Sequence, residues 1–501
     1  MPVVISACRT SLNIFAFNAG LAVFINMVVT SIFISFCIVL KKMHIFNIFN
    51  FFCRLRSVLT KNSTVIGLVT DQGKKGEGIV WDASFPTYVA NAIPGDRIEY
   101  KVLKVEKRRA FGKLLRVLAP SNHRVHPECA IAGTCGGCQL QHQSQAAQVA
   151  FKSKLLLDRL SRTVEVSGHD CRPMISGESQ WATRNKMQFS FGCGDGAIDI
   201  GLYAPRSHRV VNADYCHVMS PDMNGVLGAV RGWLDASNWP VFNEGAGTGL
   251  LRFLTIRFAP ATGQLMVVLT LAKKVDVSLF IDHMIALDGM TSVYLCVQPD
   301  ASSDHVLSHE LSCIWGAPSI EDVVCGIRCQ VSPHTFMQAN APLVDALYAA
   351  VLEAISHDGP VLDLYCGAGI LSCVLAKHGA EVIGVDNNAS AIEDATKNAA
   401  TNGVHVNFQC MDVGLFLTTQ SLIGVTVLVD PPRKGLDLRV VQALIQQHPQ
   451  RLVYVSCSPD TLARDLKLLL AGGYVLEWIQ PVDMFCHTPH IECVVVLHPR
   501  P

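Results

Sequence analysis

Short apolar runs broken by glycine and proline fill the chain from Ser63 to Pro120. Runs such as TVIGLVTD and GEGIVWD have the length of β-strands, and turn residues separate them at regular intervals. Short strands joined by tight turns are typical of a small closed sheet. The pattern therefore predicts an N-terminal β-barrel over residues 61–120.

A second pattern begins at Val361, where compact apolar runs alternate with helical segments. The runs VLDLY, EVIGVD, TVLVD and LVYVS predict buried strands, whereas Ala389 to Asn402 and Asp460 to Leu470 are helical in character. Strands that alternate with helices are joined by crossovers, which gives a mostly parallel sheet with both faces covered. We predict an α/β domain over residues 331–501 and a central α+β domain over residues 121–330.

The first 60 residues form an apolar extension that differs from the rest of the chain. Between Arg9 and Lys41 lie 31 residues without a charge, a length that can span a bilayer. Three interpretations of residues 1–60 are open: translated sequence upstream of a natural start near Met43, a membrane anchor, or a buried helical pair. The remaining chain has the pattern of a soluble protein.

Charge is balanced over the whole chain, with 41 Lys and Arg against 41 Asp and Glu. A nucleic-acid partner must therefore be met by a local basic patch. Residues 101–116 supply a candidate on the last strands of the predicted barrel, where seven cations face only Glu106. These are Lys101, Lys104, Lys107, Arg108, Arg109, Lys113 and Arg116. The segment is interpreted as an RNA-binding face or, equally, as a solvated strand pair.

Nineteen cysteines in a large chain without a convincing secretory signal indicate a reducing compartment, the cytoplasm. Cys129, Cys135 and Cys138 stand apart in the glycine-rich run CAIAGTCGGC, and Cys216 is the candidate for a fourth ligand. The four cysteines leave two kinds of site open, a zinc site and an iron-sulfur cluster. Three clustered cysteines with a remote fourth favour a [4Fe-4S] cluster, whereas zinc favours two close pairs.

The glycine turn that follows Asp363 in DLYCGAG predicts a ligand site at the end of a strand, and Asp386 ends the next strand. A carboxylate there suits ribose hydroxyls, and the missing third glycine favours S-adenosylmethionine over a dinucleotide. Asp412 ends a third run, where it either meets an adenine amino group or lies in a surface turn. Asp430, in DPPRKG, turns at the same carboxyl edge.

Cys457, in YVSCSPD, follows a strand and precedes a helix, where the helix N-terminus is expected to lower the thiol pKa. The alternative is a structural cysteine. Glu492, in HTPHIE, is the candidate base for a thiol mechanism.

Taken together, these motifs resemble the bacterial RNA 5-methyluridine methyltransferases. They look most like the 23S rRNA (uracil-C5) branch, which carries a TRAM (OB-like) barrel and an iron-sulfur cluster. The resemblance covers about residues 61–501 and rests on motifs that occur in the expected order. They are GEGIVW, IPGDRIEYKV, CxxxxxCGGC, WATRNKMQFS, SPHTFMQAN, DLYCGAG, DPPRKGL, YVSCSPDTLARD and HTPHIE.

The resemblance implies a class I, Rossmann-like methyltransferase domain that uses S-adenosylmethionine to methylate uracil C5 in RNA, with 23S rRNA favoured over tRNA. It makes Cys457 the nucleophile and Glu492 the base. It places four residues around the cofactor and uracil, and four cysteines on the cluster. The first set is Gln338, Tyr365, Asp386 and Asp430, and the second is Cys129, Cys135, Cys138 and Cys216.

A cytoplasmic monomer without a protein partner is expected, with membrane contact only if the apolar extension belongs to the mature protein. Two alternatives stay open. One is a tRNA uracil-C5 methyltransferase, and the other is a catalytically silent RNA-binding factor.

Overall fold

The structure is a computed structural model. It describes residues 59–500 except 83–84, 167–169, 195, 301–305, 309 and 356–358. The apolar extension predicted for residues 1–60 lies outside the described residues apart from Leu59 and Thr60. Within the described ranges, no helix is both long enough and apolar enough to cross a bilayer.

Five strands close into a barrel in the order β1-β2-β3-β5-β4. They are β1 (Thr64–Gln72), β2 (Gly78–Asp82), β3 (Phe85–Ala90), β4 (Arg97–Val105) and β5 (Ala110–Ala119). Alternate residues of β4, namely Ile98, Tyr100 and Val102, fill the interior because successive side chains of a strand point to opposite faces. The assignment of this barrel as a TRAM domain stays a prediction.

The central region begins with one helix and continues as a seven-stranded sheet in the order β12-β11-β10-β9-β6-β7-β8, followed by a separate hairpin of β13 and β14. The helices are α1 (Gln145–Leu160), α2 (Pro221–Ser237) and α3 (Ser278–Ile285). The strands are β6 (Lys186–Cys193), β7 (Ile198–Tyr203), β8 (Val210–Asn212), β9 (Leu251–Ala259), β10 (Gln264–Leu271), β11 (Met290–Val297), β12 (Leu311–Gly316), β13 (Ile320–Val324) and β14 (Ile327–Val331).

The C-terminal region is a second seven-stranded sheet, in the order β17-β16-β15-β18-β19-β21-β20. Its strands are β15 (Val361–Leu364), β16 (Val382–Asp386), β17 (Val406–Cys410), β18 (Thr426–Val429), β19 (Arg451–Ser456), β20 (Tyr474–Val482) and β21 (Glu492–Pro499). Its helices are α4 (Ala341–Ala354), α5 (Ile370–Lys377), α6 (Ala389–Asn402), α7 (Val413–Phe416), α8 (Leu438–Gln447) and α9 (Pro459–Ala471).

The first five strands of this sheet are parallel, and β20 and β21 are antiparallel to their neighbours. Strands β15 and β18 are buried along their whole length, and separate apolar clusters cover the two faces of the sheet. The α/β arrangement predicted for the C-terminal domain is confirmed. The predicted helix over residues 389–402 has the predicted bounds.

Asn185, which precedes β6, joins the central sheet to the segment that leads into α4. Its backbone N–H donates to the carbonyl of Ala339 at 3.1 Å, and its side-chain amide donates to the carbonyl of Gln338 at 2.8 Å. These bonds fix the edge of the central sheet beside the segment that leads into α4. Asn185 and Gln338 therefore line the same cavity at this junction.

Candidate active site

Five of the predicted site residues lie in strand order along one edge of the C-terminal sheet. Tyr365 follows β15, Asp386 ends β16, Asp430 follows β18 and Cys457 follows β19. Because β21 runs antiparallel, its first residue, Glu492, reaches the same edge. Asp386 and Cys457 are three strand positions apart, which at the usual strand spacing is about 14 Å.

The register of the last strands brings Cys457 and Glu492 together. Ser456 pairs with Cys493 in the antiparallel ladder of β19 and β21, so the next position along β19 faces Glu492. Residues opposite each other in such a ladder have Cβ atoms about 5 Å apart. The thiol and the carboxylate predicted to act together are thus cross-strand neighbours.

The surroundings of Cys457 hold its thiol in the protonated form. Burial raises the pKa of Cys457 to about 11, and the charges of Glu492 and Asp430 act in the same direction, whereas Arg433 opposes them. The predicted lowering of this pKa is therefore wrong for the free protein. Burial and two carboxylates outweigh the N-terminus of α9, which begins two residues further on at Pro459.

The two carboxylates nearest the thiol are themselves easily protonated. Glu492 is only 2% exposed, and burial, with the charge of Asp430, raises its pKa well above the ordinary value for a glutamate. Burial, together with the charge of Asp363, raises the pKa of Asp430 to about 7. Arg433 lowers the pKa of Glu492 as well as that of Cys457. Arg433 therefore favours the carboxylate form of Glu492 and the thiolate form of Cys457.

Asp363 is a site residue that sequence reasoning did not single out. It lies inside the buried strand β15, and burial raises its pKa to about 7. The hydroxyl of Ser372 donates to its Oδ2 at 2.5 Å. Ser372, which stands where a dinucleotide-binding motif has its third glycine, therefore stabilises Asp363 by a hydrogen bond. An acidic residue within the apolar run VLDLY was the available signal.

The glycine turn after β15 has a strained and well-supported backbone. Tyr365 adopts a φ of 67°, and Gly367 and Gly369 also have positive φ values, of 53° and 69°. Positive φ at a bulky residue costs about 1–3 kcal/mol and is concentrated at functional sites. A Cβ at Gly369 would lie 2.5 Å from the ring of Phe408, so the turn also requires a glycine for space.

Asp386 anchors this turn. Its Oδ2 accepts the backbone N–H of Gly367 at 3.1 Å, and its Oδ1 accepts that of Asn388 at 2.8 Å. A carboxylate oxygen has two lone pairs, so each oxygen keeps one acceptor site. The geometry is compatible with hydroxyl groups bound at the same carboxylate.

Asp412 and Gln338 are the other two residues predicted to border the cofactor. The Oδ1 of Asp412 caps the short helix α7 by accepting the N–H of Leu415 at 2.9 Å, and it lies 3.8 Å from Arg439. Its contact with an adenine stays a prediction. Gln338 is buried and lines a cavity of about 310 Å³ that also reaches Ile370, the first residue of α5.

The four cysteines predicted as ligands line one cavity of about 480 Å³. Burial raises the pKa of Cys138 to about 11 and that of Cys216 to about 12, and the charges of the neighbouring thiols add to both shifts. In the part of the chain that the structure describes, no three Cys, His, Asp or Glu side chains are grouped to hold a single metal ion.

The cysteine loop rests directly on the segment that leads to Glu492. The backbone N–H groups of Gln139 and Leu140 donate to the carbonyl of His487 at 2.8 and 2.9 Å, and Trp181 stacks on the His487 ring with centroids 4.0 Å apart. The start of the same segment is held by a buried ion pair between Lys152 of α1 and Asp483.

The basic patch on the barrel is smaller than its sequence indicates. Glu106 accepts from both Lys104 and Arg109 at 2.8 Å, and Glu99 accepts from Arg116 at 2.6 Å. Lys107 and Arg108 lie in the turn between β4 and β5 and are exposed; they are called the turn cations below. The turn cations are thus the better candidates for RNA contact.

Comparison with known proteins gives the family. Residues 417–500 match the family described as tRNA (uracil-5-)-methyltransferase, and residues 334–454 match the methyltransferase small domain. An uncharacterized RNA methyltransferase of Clostridium tetani is 35% identical over 446 residues, which is 87% of this chain and 96% of that protein. Another, from Halalkalibacterium halodurans, is 34% identical over 448 residues, which is 88% of this chain and 98% of that protein.

A solved structure of the same family is similar to this chain. The Pyrococcus abyssi tRNA (uracil-54, C5)-methyltransferase, in complex with S-adenosyl-L-homocysteine, superposes with a TM-score of 0.71 at 28% identity, covering 86% of this chain and 99% of that one. The Rossmann-like methyltransferase fold predicted for the C-terminal domain is confirmed. The chain is therefore a methyltransferase of class 2.1.1 and belongs to the RNA (uracil-5-)-methyltransferase family.

Proposed function

We propose that this protein methylates C5 of a uracil in RNA, with Cys457 as nucleophile, Glu492 as base and 23S rRNA as the favoured substrate. The observation that carries the proposal is the cross-strand placement of Cys457 opposite Glu492, beside Asp430. A thiol and a carboxylate at one sheet edge are the two groups that this reaction needs.

C5 of uracil is a weak nucleophile and must be activated first. The Cys457 thiolate attacks C6, which forms an S–C6 bond and moves the electron pair of the C5=C6 bond toward C5 and O4. S-adenosylmethionine, when bound, supplies the methyl group. Asp386, Tyr365, Gln338, Asp412 and Asp430 are the residues of this chain that would hold it along the sheet edge.

Glu492 completes the reaction. Its carboxylate takes the C5 proton, the electron pair of that C–H bond restores C5=C6, and the S–C6 bond breaks to release the Cys457 thiolate. A positioned base contributes typically about 10²- to 10⁴-fold to rate. The raised pKa of Glu492 makes its carboxylate a stronger proton acceptor than an ordinary glutamate. Arg433 favours the thiolate with which the cycle starts and ends.

The decisive experiment uses RNA that carries 5-fluorouridine, because fluorine at C5 cannot leave as a proton and the adduct accumulates. Denaturing electrophoresis should show a shifted band for the native protein with S-adenosylmethionine. Cys457→Ala should give none, whereas Cys410→Ala, an exposed cysteine of the same domain, should behave as native. An adduct on Cys457→Ala, or none on folded native protein, would contradict the mechanism.

The choice of RNA is tested in the same assay with 23S rRNA fragments and tRNA transcripts. A tRNA substrate is the second candidate, because the Pyrococcus abyssi enzyme acts on uracil 54 of tRNA. The motif resemblance to the 23S rRNA branch supports rRNA, whereas the barrel alone does not separate the two, because the Pyrococcus abyssi enzyme matches 86% of this chain. An adduct with tRNA alone would reverse our choice and leave the chemistry intact. An adduct with neither would favour the silent RNA-binding factor.

We also propose that Cys129, Cys135, Cys138 and Cys216 bind a [4Fe-4S] cluster and that the protein acts as a cytoplasmic monomer. The four thiols share one cavity, and their raised pKa values mean that thiolates there require a cationic partner. The cluster would supply that charge and tie the cysteine loop together. Iron and sulfide analysis of anaerobically purified protein should give a cluster that Cys138→Ser loses and Cys410→Ser retains. Zinc in place of iron would contradict it.

A further inference from the structure

The cavity that holds the four cysteines extends into a second region with a different character. Lys186, at the start of β6, and Arg257, near the end of β9, line this region together with the loop from His334 to Met337. None of the described residues that line the cavity is an aspartate or a glutamate. We call the region around Lys186 and Arg257 the cationic pocket.

Lys186 and Arg257 are direct cross-strand partners in the antiparallel pair of β6 and β9. Like charges placed opposite each other in a ladder destabilise the sheet. Burial lowers the pKa of Lys186 to about 8, and the positive charge of Arg257 adds to that shift. The fold thus holds two cations together at a cost to its own stability.

The cysteines do not balance these two charges. Arg184 is the cation whose charge interacts with the thiols of Cys138 and Cys216. The groups that act on Lys186 are its buried surroundings and Arg257, without a thiol among them. Arg184 is therefore the cation that faces the cysteines, and Lys186 and Arg257 line another part of the same cavity.

Arg257 is only 3% exposed and is incompletely bonded. Its Nη2 donates to the carbonyl of Thr335, but its Nε has no hydrogen-bond partner among the described residues. Asp394 attracts it from a distance, yet that carboxylate accepts from the hydroxyl of Thr335 at 2.9 Å and forms no ion pair with Arg257 in the described chain. A buried N–H without a partner costs about 1–3 kcal/mol.

The position of the cationic pocket links it to the reaction. Asn185, the neighbour of Lys186, bonds to Gln338 and Ala339 across the domain junction. The loop from His334 to Met337 lines the pocket and runs directly into Gln338, so an anion held there would lie near a residue proposed to border the cofactor. A guanidinium with a free N–H next to an ammonium suits the oxygens of a phosphate.

We propose that Lys186 and Arg257 form a subsite for one phosphodiester of the RNA substrate, next to the target uridine. This inference rests on the proposed function, since it assigns the pocket to the RNA that is methylated. The phosphate would supply the counter-charge that the cross-strand pair lacks.

The test measures binding of a fluorescein-labelled oligouridylate over a series of salt concentrations. Lys186→Met should raise the RNA Kd about tenfold, the loss expected for one charge-assisted hydrogen bond. The slope of log K against log salt should fall by about 0.7 for one lost single-strand phosphate contact. Lys186→Arg should retain both values, and Lys273→Met, at an exposed lysine of the same domain, should behave as native.

Thermal unfolding without RNA gives an independent readout. Because Lys186→Met removes a cross-strand repulsion, its Tm should equal or exceed that of the native protein. A merely structural lysine would give a lower Tm and an unchanged RNA Kd, which overturns the proposal.

The remaining outcomes are distinct. A Kd and salt slope equal to those of Lys273→Met overturn the proposal, as does a native protein that binds no oligouridylate. Stabilisation of the native protein, but not of Lys186→Met, by inorganic phosphate with unchanged RNA affinity would assign the pocket to free phosphate instead. A Lys186-dependent salt slope without a 5-fluorouridine adduct retains the subsite and overturns only the proposed chemistry.

Discussion

Cys457 should ionise far less readily in the free protein than an ordinary thiol does. Its pKa is raised from 9.0 to about 11. At pH 7 the thiolate is then about one part in 10⁴, a hundredfold less than for the unperturbed group, and this difference is worth about 2.7 kcal/mol. The thiol should therefore be nearly inert at neutral pH until substrate binding changes its surroundings.

Two substitutions should move this pKa in opposite directions. Glu492→Gln removes one of the two carboxylate charges that oppose the thiolate, and we expect the pKa of Cys457 to fall over the alkaline range in which Glu492 is ionised. Arg433→Gln removes a favourable charge and should raise the pKa. Its effect should be smaller, at most about fivefold in thiolate, because Arg433 is exposed and screened. Lys434→Gln is the matched control.

The assay is alkylation of Cys457 by iodoacetamide, followed by mass spectrometry of its peptide between pH 7 and pH 10. The native rate should rise about tenfold per pH unit and show no plateau in this range. Glu492→Gln should react faster than native in the alkaline half of the range while failing to release methylated RNA. A native plateau near pH 8, or identical profiles for all four proteins, would refute the reasoning.

Three further outcomes are expected. Lys152→Met should lower the free energy of unfolding in urea by about 3–5 kcal/mol, because it leaves the buried carboxylate of Asp483 unpaired. Adding Asp483→Asn should recover most of this loss. A double variant as unstable as Lys152→Met would contradict this explanation. Gly369→Ala should lower the free energy of unfolding by about 2–4 kcal/mol in the same assay, and Gly403→Ala should lower it clearly less. Both glycines have positive φ, but only at Gly369 would an added Cβ clash with neighbouring atoms. Replacing both turn cations by glutamine should lower the slope of log K against log salt for RNA binding by about 1.5. If replacing the two cations paired with Glu106, Lys104 and Arg109, lowered the slope equally, the turn cations would not be the preferred RNA contact.

The parallel part of the C-terminal sheet was predictable because its strands are continuous apolar runs. Each run also ends at the residue proposed to act, as with Asp386 and Asp430. Glu492 was named from the sequence as the candidate base for Cys457, but its position was not predictable. The register of β19 with β21, which makes the two residues cross-strand neighbours, depends on a strand 36 residues further along the chain.

The pKa of Cys457 shows the limit of local reasoning most clearly. A helix N-terminus is visible in sequence, whereas burial and the approach of Glu492 and Asp430 are properties of the folded chain. The same holds for the barrel, where Glu99 neutralises Arg116 from the neighbouring strand. Burial and two neighbouring carboxylates overturned the prediction for Cys457, and a cross-strand charge reduced the basic patch.

The position of β21 also has a consequence for biosynthesis. This strand follows β20 in the sequence, yet it lies between β19 and β20 in the sheet. During translation, β20 emerges first and has no place beside β19 until β21 arrives to separate them. The sheet therefore stays unfinished, with Cys457 still lacking Glu492, until β21 has been made and has paired with β19.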